Sequence, residues 1–310
     1  LGSSSEVTVL ELLVKAGDTV KNVETGGPAG RVHALDPDQH TISLRRNAAA
    51  GPLPEYLSIG PGAPLDDKTL RAAIKRFADS LCVEPGRYAA VEDLLRRRLP
   101  RLVGILSGSP VLRDGEPFVA GMLRAVSSLD SSLLFVQGPP GTGKTYTASA
   151  VIVALLQQGK RIAVASNSHK AINNLLAGIE DRAAKEKFTF VGIKKASGAE
   201  SEFLGRCIQS TTSNAVPDEA LLVAGTAWIF AREEFDQTFD YLFVDEAGQV
   251  SLGNLVAMGL AARNIVLIGD QMQLGQPLQG SHPGATGSNA LNYLLQGQAT
   301  VPPEQGIFLG

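Results

Sequence analysis

Residues 138–145 read GPPGTGKT, and this short segment constrains the fold more than any other part of the chain. It matches the pattern G-x-x-x-x-G-K-[ST], in which backbone N–H groups wrap around nucleotide phosphates. The apolar run LLFVQ (133–137) precedes it and the apolar segment TASAVIVALL (147–156) follows it. A strand, a loop and the N-terminus of a helix in this order favour bound phosphate. The sequence therefore predicts a phosphate-binding loop inside an α/β domain.

The residues of this loop differ in what they offer a nucleotide. The backbone of the glycine-rich part suits the β-phosphate, Lys144 the β- and γ-phosphates, and the Thr145 hydroxyl a magnesium ion. Tyr146 follows directly and either lies near the adenine or packs against its neighbours. We predict ATP and Mg²⁺ as cofactors. The predicted nucleotide-binding residues are Gly138, Pro139, Pro140, Gly141, Thr142, Gly143, Lys144, Thr145 and Tyr146.

A pair of acidic residues follows a second apolar run, in YLFVDEAGQ (241–249). Asp245 at the end of a buried strand is suited to hold Mg²⁺, directly or through water, and Glu246 to polarise an attacking water. Asp-Glu pairs also occur in the first turn of helices, where they complement the helix dipole. Because this chain also has a phosphate loop, we favour the role of the pair in binding Mg²⁺ and water. That role predicts hydrolysis of ATP. Lys144, Asp245 and Glu246 are the resulting catalytic candidates.

Short apolar runs recur through the second half of the chain and predict a parallel sheet buried on both faces by helices. The runs are 133–137, 161–165, 188–193, 221–225, 241–245 and 264–269.

The N-terminal region has a different pattern. The segment VTVLELLV and residues 30–46 are rich in β-branched residues, with Val32 and Ala34 opposite Ile42 and Leu44 around a turn at Asp36. Helical patterns follow at 65–81 and 87–102. We expect a small β region at 1–60, a helical stalk at 61–115 and an ATPase domain at 116–310.

Composition excludes several classes of protein. No apolar run approaches the ~20 residues of a membrane span, and two cysteines give neither a disulfide framework nor a zinc site. A cytoplasmic protein with no membrane contact is expected. The net charge of −3 argues against a wholly basic nucleic-acid binder, although 160–206 carry nine Lys/Arg against five Asp/Glu. Contact with nucleic acid must therefore be local.

Two further segments lie at predicted strand ends, namely VASNSHKAINNLL (164–176) and IVLIGDQMQLGQP (265–277). Together with DEAGQ, they resemble motifs Ia, III and II of superfamily 1 DNA/RNA helicases. The chain is similar to the branch that contains the nonsense-mediated-decay RNA helicase, and more similar still to bacterial proteins that join a RecB-like nuclease to such a helicase. The resemblance implies a RecA-like ATPase domain at 116–310, preceded by an accessory β-barrel on a helical stalk.

The resemblance also implies roles for residues outside the phosphate loop. Gln273 matches a glutamine that senses the γ-phosphate, and Gln249 completes the DEAxQ motif of this branch. Asp270 and Gln271 match residues that couple the nucleotide site to the bound nucleic-acid strand. His169 either contacts the nucleic-acid strand or is only the first residue of a helix. Trp228 either stacks on a base or belongs to the core. The implied strand-binding residues are Ser166, Asn167, Ser168, His169, Lys170 and Thr226, beside Gly225.

The implied partner is single-stranded nucleic acid, with DNA favoured over RNA, and the implied parent chain carries a fused nuclease domain and acts as a monomer. Two features depart from the family pattern. Met122 stands where the family has a glutamine that reads adenine, so adenine selectivity is an open question. The sequence ends before motif IV, so we expect a fragment without the second RecA-like domain that binds nucleotide, hydrolyses it slowly and does not unwind.

Two other functions remain open from the sequence. GPPGTGKT also occurs in AAA+ ATPases that remodel proteins, which would require a hexamer. Alternatively, the chain is a nucleic-acid-binding module that uses the nucleotide only as a switch.

Overall fold

The computed structural model describes residues 14–36, 38–47, 51–62, 66–198, 201–271 and 284–310. Contacts within the chain divide it into two compact units, Leu1–Asp66 and Asp67–Gly310. Each has its own buried apolar cluster. The predicted boundary between a helical stalk at 61–115 and an ATPase domain at 116–310 stays a prediction.

The first unit contains a small antiparallel sheet in the order β3-β2-β1-β4. Its strands are β1 (Thr19–Asn22), β2 (Pro28–Asp36), β3 (Thr41–Arg45) and β4 (Ile59–Pro61). Val14, Val20, Ala29 and Val32 form its core. The sheet confirms the predicted N-terminal β region, while its closure into a barrel stays a prediction. All but the last residue of VTVLELLV lies outside the described residues.

The hairpin between β2 and β3 differs in register from the predicted one. Val32 pairs with Leu44 as predicted, but an irregularity follows, and Leu35 pairs with Ile42 in place of Ala34. An extra residue in one strand reverses which side chains face the core, so Ala34 is exposed and Leu35 is half-buried. The Asp36 carboxylate accepts hydrogen bonds from the N–H groups of Asp38 (3.1 Å) and Gln39 (3.0 Å) and forms the predicted turn.

The second unit is built on an eight-stranded sheet of parallel strands in the order β12-β5-β11-β10-β6-β9-β7-β8. This confirms the predicted α/β fold. The strands are β5 (Leu133–Gln137), β6 (Ile162–Ala165), β7 (Gly192–Lys195), β8 (Ile208–Thr211), β9 (Leu222–Gly225), β10 (Phe239–Val244), β11 (Ala262–Gly269) and β12 (Gly306–Phe308).

The apolar pattern is wrong about three of these strands. It places β7 at 188–193, but the strand begins at Gly192, and the aromatic rings of Phe188 and Phe190 stack ahead of it at 5.8 Å. Their apolar character comes from this packing. The pattern misses β8 and β12 altogether, because IQST and GIF contain no run of buried apolar residues.

Helices cover both faces of this sheet. The cluster on one face includes residues of α3, α4 and α5, and the cluster on the other includes residues of α1, α2, α6, α7 and α8. The helices are α1 (Lys68–Val83), α2 (Ala89–Arg96), α3 (Phe118–Ser127), α4 (Lys144–Gln157), α5 (His169–Lys185), α6 (Ala227–Phe230), α7 (Leu252–Gly259) and α8 (Ala290–Leu295).

Alternation along the strands explains why both faces need helices. In β5, Leu133 and Phe135 belong to one cluster, and Leu134 and Val136 belong to the other. Successive side chains of a strand point to opposite faces, so a continuous apolar run is stable only when both faces are covered. The parallel arrangement also brings the carboxyl ends of the strands to one edge, where ligands bind in folds of this class.

Candidate active site

The phosphate loop joins β5 to α4 at the carboxyl edge of the sheet. Gly141 and Gly143 have φ angles of +86° and +83°, a region that side-chain-bearing residues rarely adopt. The Gly138 N–H donates to the Gly269 carbonyl (3.1 Å), and the Thr142 hydroxyl donates to the Pro139 carbonyl (2.9 Å). The loop is thus tied to the end of β11 and across itself, with the N-terminus of α4 directly behind it.

Lys144 is the first residue of α4, and its side chain returns over the loop. The ammonium Nζ donates to the carbonyls of Gly138 (2.6 Å) and Pro139 (2.9 Å). A cation held against the loop can be shared with the oxygens of a bound phosphate. Thr145 is exposed on the next position, and Tyr146 is 61% exposed. This exposure leaves the Tyr146 ring accessible to a ligand, which the first of its two interpretations, a position near the adenine, requires.

The acidic pair follows β10 at the same edge of the sheet as the phosphate loop, and β11 lies between β10 and β5. The Asp245 N–H donates to the Ala165 carbonyl (2.8 Å), and the Asp245 side chain is buried, with its residue 7% exposed. The pKa of Asp245 is raised to about 6, chiefly by burial and also by the charge of Glu246, while the charge of Lys144 acts to lower it. The charge of Lys144 therefore stabilises the ionised form of the Asp245 carboxylate.

Glu246 lies beside Asp245 on a strained turn. Its φ angle is +51°, in the left-handed region, and its N–H donates to the Asp245 carboxylate at 3.0 Å. Its side chain is half-buried. Asp245 is therefore buried while Glu246 keeps part of its side chain exposed, which suits separate roles for a cation and a water.

The donor set of this site suits Mg²⁺. A hard divalent cation prefers oxygen ligands, which the Asp245 carboxylate and the Thr145 hydroxyl provide. A buried carboxylate whose pKa is raised by desolvation is also one that a bound cation would stabilise in its charged form.

A tight contact links the acidic pair to the end of β11. Gly248 lies in the short helical turn Ala247–Gln249, and a Cβ at this position would lie 2.5 Å from the Asp270 carbonyl. Only glycine permits this approach without displacement of the backbone. Asp270 is buried, and the Gln271 carboxamide donates to the carbonyls of Gln298 (2.9 Å) and Ala299 (2.8 Å). Gln273, the predicted γ-phosphate sensor, lies outside the described residues.

The predicted strand-binding segment follows β6 at the same edge. The Asn167 carboxamide donates to the Gln249 carbonyl, so this segment touches the turn that carries the acidic pair. Ser168 caps α5 by accepting a hydrogen bond from the Ala171 N–H (3.1 Å), and Lys170 is exposed. Ser166 is buried, and its hydroxyl has no hydrogen-bond partner among the described residues.

His169 is half-buried at the start of α5, and its Nε2 lies 3.2 Å from the Ser197 hydroxyl. Burial lowers the pKa of His169, and the charge of the nearby Lys194 lowers it further. The imidazole is therefore kept neutral near pH 7. A neutral ring can exchange hydrogen bonds with its neighbours but brings no charge to a phosphate.

Beyond His169 lies a cleft of about 520 Å³, which we call the carboxyl-edge cleft. It includes two predicted residues, His169 and Thr226, and Trp228 beside them. Thr226 is half-buried between β9 and α6. Sequence reasoning missed Lys195 and Arg232, which also line this cleft. The Lys-Lys pair at the end of β7 would have indicated the first of them, had the strand been predicted in its correct position.

Met122 is 1% exposed and lies in the cluster that α3, α4 and α5 share. Its side chain is enclosed by apolar neighbours, so contact with a base would require a rearrangement of this cluster.

A family model and several curated relatives match this chain. The family model described as AAA domain matches residues 120–285. The DNA replication ATP-dependent helicase/nuclease JHS1 of Arabidopsis thaliana is 29% identical over 173 residues, which cover 54% of this chain and 12% of the relative. The DNA replication ATP-dependent helicase/nuclease DNA2 of Homo sapiens is 30% identical over 202 residues, which cover 57% of this chain and 18% of the relative. The chain thus spans less than a fifth of the length of these relatives.

Among solved structures, the complex of Arterivirus nonstructural protein 10 (helicase) with DNA matches with a TM-score of 0.36 and 16% identity, over 58% of this chain and 35% of that chain. None of the helices that the structure describes is long and apolar enough to span a membrane.

Proposed function

The chain belongs to the AAA domain family and contains a superfamily 1 helicase-like P-loop domain. On this premise we propose that it is the ATP-binding and ATP-hydrolysing part of a protein that moves along single-stranded nucleic acid. The contact between the Asn167 carboxamide and the Gln249 carbonyl supports this proposal most strongly. It joins the strand-binding segment to the turn that carries Asp245 and Glu246. A change in the bound phosphate can therefore move the segment that binds the nucleic-acid strand through this hydrogen bond.

The nucleotide site divides its work among a few residues. Backbone N–H groups of the loop and the N-terminus of α4 hold the β-phosphate, and Lys144 neutralises charge on the β- and γ-phosphates. Thr145 and Asp245 hold Mg²⁺, which neutralises phosphate charge when it is bound. Glu246 accepts a hydrogen bond from the attacking water and orients it toward the γ-phosphate. Gln273 completes the proposal as the γ-phosphate sensor.

Coupling follows from the packing around Gly248. Its close approach to the Asp270 carbonyl fixes the distance between the acidic turn and the end of β11. The Gly138 N–H is tied to the Gly269 carbonyl at the same strand end. Since these segments lack room to move independently, we propose that loss of the γ-phosphate shifts them together and moves Asn167 with them.

We propose DNA over RNA as the strand, because the curated relatives are named for DNA replication. Their names also join helicase to nuclease, so a fused nuclease domain in the parent chain belongs to the same proposal. We further propose that the chain acts as a monomer. Cys82 and Cys207 are free thiols, which fits a reducing compartment and the proposed cytoplasmic location.

The test is steady-state ATP hydrolysis with and without oligonucleotides, for the wild-type chain and Glu246→Gln. We expect single-stranded DNA to raise turnover more than duplex DNA or RNA of the same length. Glu246→Gln should lower turnover by about 100-fold or more, the scale of lost general-base catalysis, while binding of a fluorescent ATP analogue is retained. Turnover that no nucleic acid stimulates would contradict the proposal.

Two measurements separate this proposal from the other two functions. A protein-remodelling ATPase would assemble as a hexamer, which light scattering measures directly. A nucleotide-switched binding module would bind strand and nucleotide, but its residual turnover would be unchanged in Glu246→Gln.

A further inference from the structure

The carboxyl-edge cleft extends away from the nucleotide site, past the ends of β6, β9, β7 and β8. Its volume of about 520 Å³ lies within the range of sites that hold one small molecule. The described residues that line it include the cations Lys195 and Arg232 and no carboxylate. Thr212 and Asn214 add polar side chains at the far end. An anionic ligand with a polar, planar part fits this lining.

Trp228 provides a large aromatic surface in this cleft. It lies in α6, two residues after Thr226, and it is half-buried, with part of the side chain packed against the core. The remaining part lines the cleft. An indole anchored on one side and accessible on the other can act as a platform for a base, because every nucleobase offers a π-face.

Each of the two cations contacts one partner in the structure. The Lys195 ammonium donates to the Thr212 carbonyl at the end of β8. Arg232 pairs with Glu234, and its side chain is 28% exposed. Each cation keeps donor capacity for a ligand, since an ammonium has three N–H groups and a guanidinium has five.

We propose that the carboxyl-edge cleft holds one unpaired nucleotide of the bound strand, with its base stacked on Trp228 and its phosphate between Lys195 and Arg232. This inference rests on the proposed function and adds to it a second strand-binding site. The strand path then continues from His169 and Thr226 toward β8. A paired base is stacked on its neighbours in a duplex, so the cleft selects single strands.

Trp228 makes the proposal directly measurable, because it is the only tryptophan in the chain. We expect a short oligothymidylate to quench the tryptophan fluorescence of the 310-residue chain along the same curve as binding measured by anisotropy of the labelled oligonucleotide. An abasic oligonucleotide of the same length keeps the phosphates but lacks bases. It should bind more weakly and leave the fluorescence unchanged.

Substitutions separate the stacking from the charge contacts. Trp228→Ala should weaken binding roughly 5- to 150-fold, the range for loss of one base–aromatic stack, and Trp228→Phe should restore much of it. If Trp228→Ala does not fold, the comparison of Trp228→Phe with wild type on the two oligonucleotides gives the same information. Lys195→Gln and Arg232→Gln should each reduce the slope of log affinity against log salt by about 0.7, the value for one phosphate contact on a single strand. Lys185→Gln, at the opposite end of α5, is the matched control and should leave the slope unchanged.

The outcomes distinguish this inference from the proposed function. Binding with matching fluorescence quenching supports both. Binding without quenching, or with equal quenching by the abasic oligonucleotide, overturns the cleft as a nucleotide site and leaves the proposed function standing. Absence of binding to any oligonucleotide overturns both.

Discussion

At the scale of single residues, burial of the Asp245 carboxylate lowers the free energy of unfolding at neutral pH. Its carboxylate is buried at the end of β10, and burial raises its pKa from 3.8 to about 6. Between these two pH values, the folded protein retains a proton that the unfolded chain has lost. The free energy of unfolding therefore falls as pH rises through this window, and it stays lowered above pH 6. The shift of about two pH units corresponds to roughly 3 kcal/mol, an order-of-magnitude figure.

This sign gives a prediction for Asp245→Asn. The amide carries no charge to desolvate, and its oxygen can still accept the Glu246 N–H. In the presence of a chelator, we expect the variant to be more stable than wild type at pH 7.5, by up to roughly 3 kcal/mol, and the gain to be about halved at pH 5. Urea unfolding at the two pH values measures it. An equal or lower stability of the variant at pH 7.5 would show that burial of this carboxylate has no cost.

Single residues also show where sequence reasoning succeeds. The order of strand, loop and helix around Lys144 was predictable because the loop pattern and both flanking apolar runs lie within 25 consecutive residues, 133–157. Lys195 and Arg232 were not predictable in this way. They reach the same cleft because β7 pairs with β9, the strand that precedes α6, and this pairing joins segments distant in sequence.

At the scale of elements, the contact between the acidic turn and β11 leaves no space for a side chain. A Cβ at Gly248 would lie 2.5 Å from the Asp270 carbonyl, which belongs to the backbone and cannot rotate away. We predict that Gly248→Ala costs about 1–3 kcal/mol of stability, the usual range for overpacking. It should also reduce strand-stimulated ATP hydrolysis more than basal hydrolysis, because the turn that contacts Asn167 is displaced.

Gly253→Ala is the matched control for this prediction. Gly253 lies in α7, and the nearest atom to an added Cβ is 4.0 Å away. Alanine in a helix is favoured over glycine by about 0.5–1 kcal/mol, so this variant should be slightly more stable and fully active. Thermal unfolding and ATPase assays of both variants measure the difference. Similar behaviour of the two variants would mean that the contact at Gly248 has no special role.

The elements themselves were predicted unevenly. Long apolar runs such as NIVLIG identify β11 because central parallel strands are buried on both faces. The short strands β8 and β12 are the two edge strands of the sheet. Because β8 is largely polar and β12 has only three residues, the same rule does not detect them. In the first unit, the irregularity after Val32 inverted the predicted facing of Ala34, because a period-two pattern assumes unbroken pairing.

At the scale of the whole molecule, the fold class was predictable and the strand order was not. Alternating strands and helices require a covered parallel sheet, but the position of β11 between β5 and β10 depends on contacts distant in sequence. The predicted resemblance to superfamily 1 helicases is confirmed by the family match and the curated relatives. The strand-binding roles taken from that resemblance stay predictions.

Coupling between the nucleotide site and the nucleic-acid-binding segment makes the affinity for single-stranded DNA depend on the bound nucleotide. Affinity for single-stranded DNA is measured with ADP and with a non-hydrolysable ATP analogue, for wild type and for Asn167→Ala. Coupling of the usual size predicts at least about a fivefold difference between the two nucleotides in wild type. The difference should shrink in Asn167→Ala, which lacks the contact with the Gln249 carbonyl. Equal affinity of the wild-type chain for single-stranded DNA in both nucleotide states would show that the two sites are not coupled.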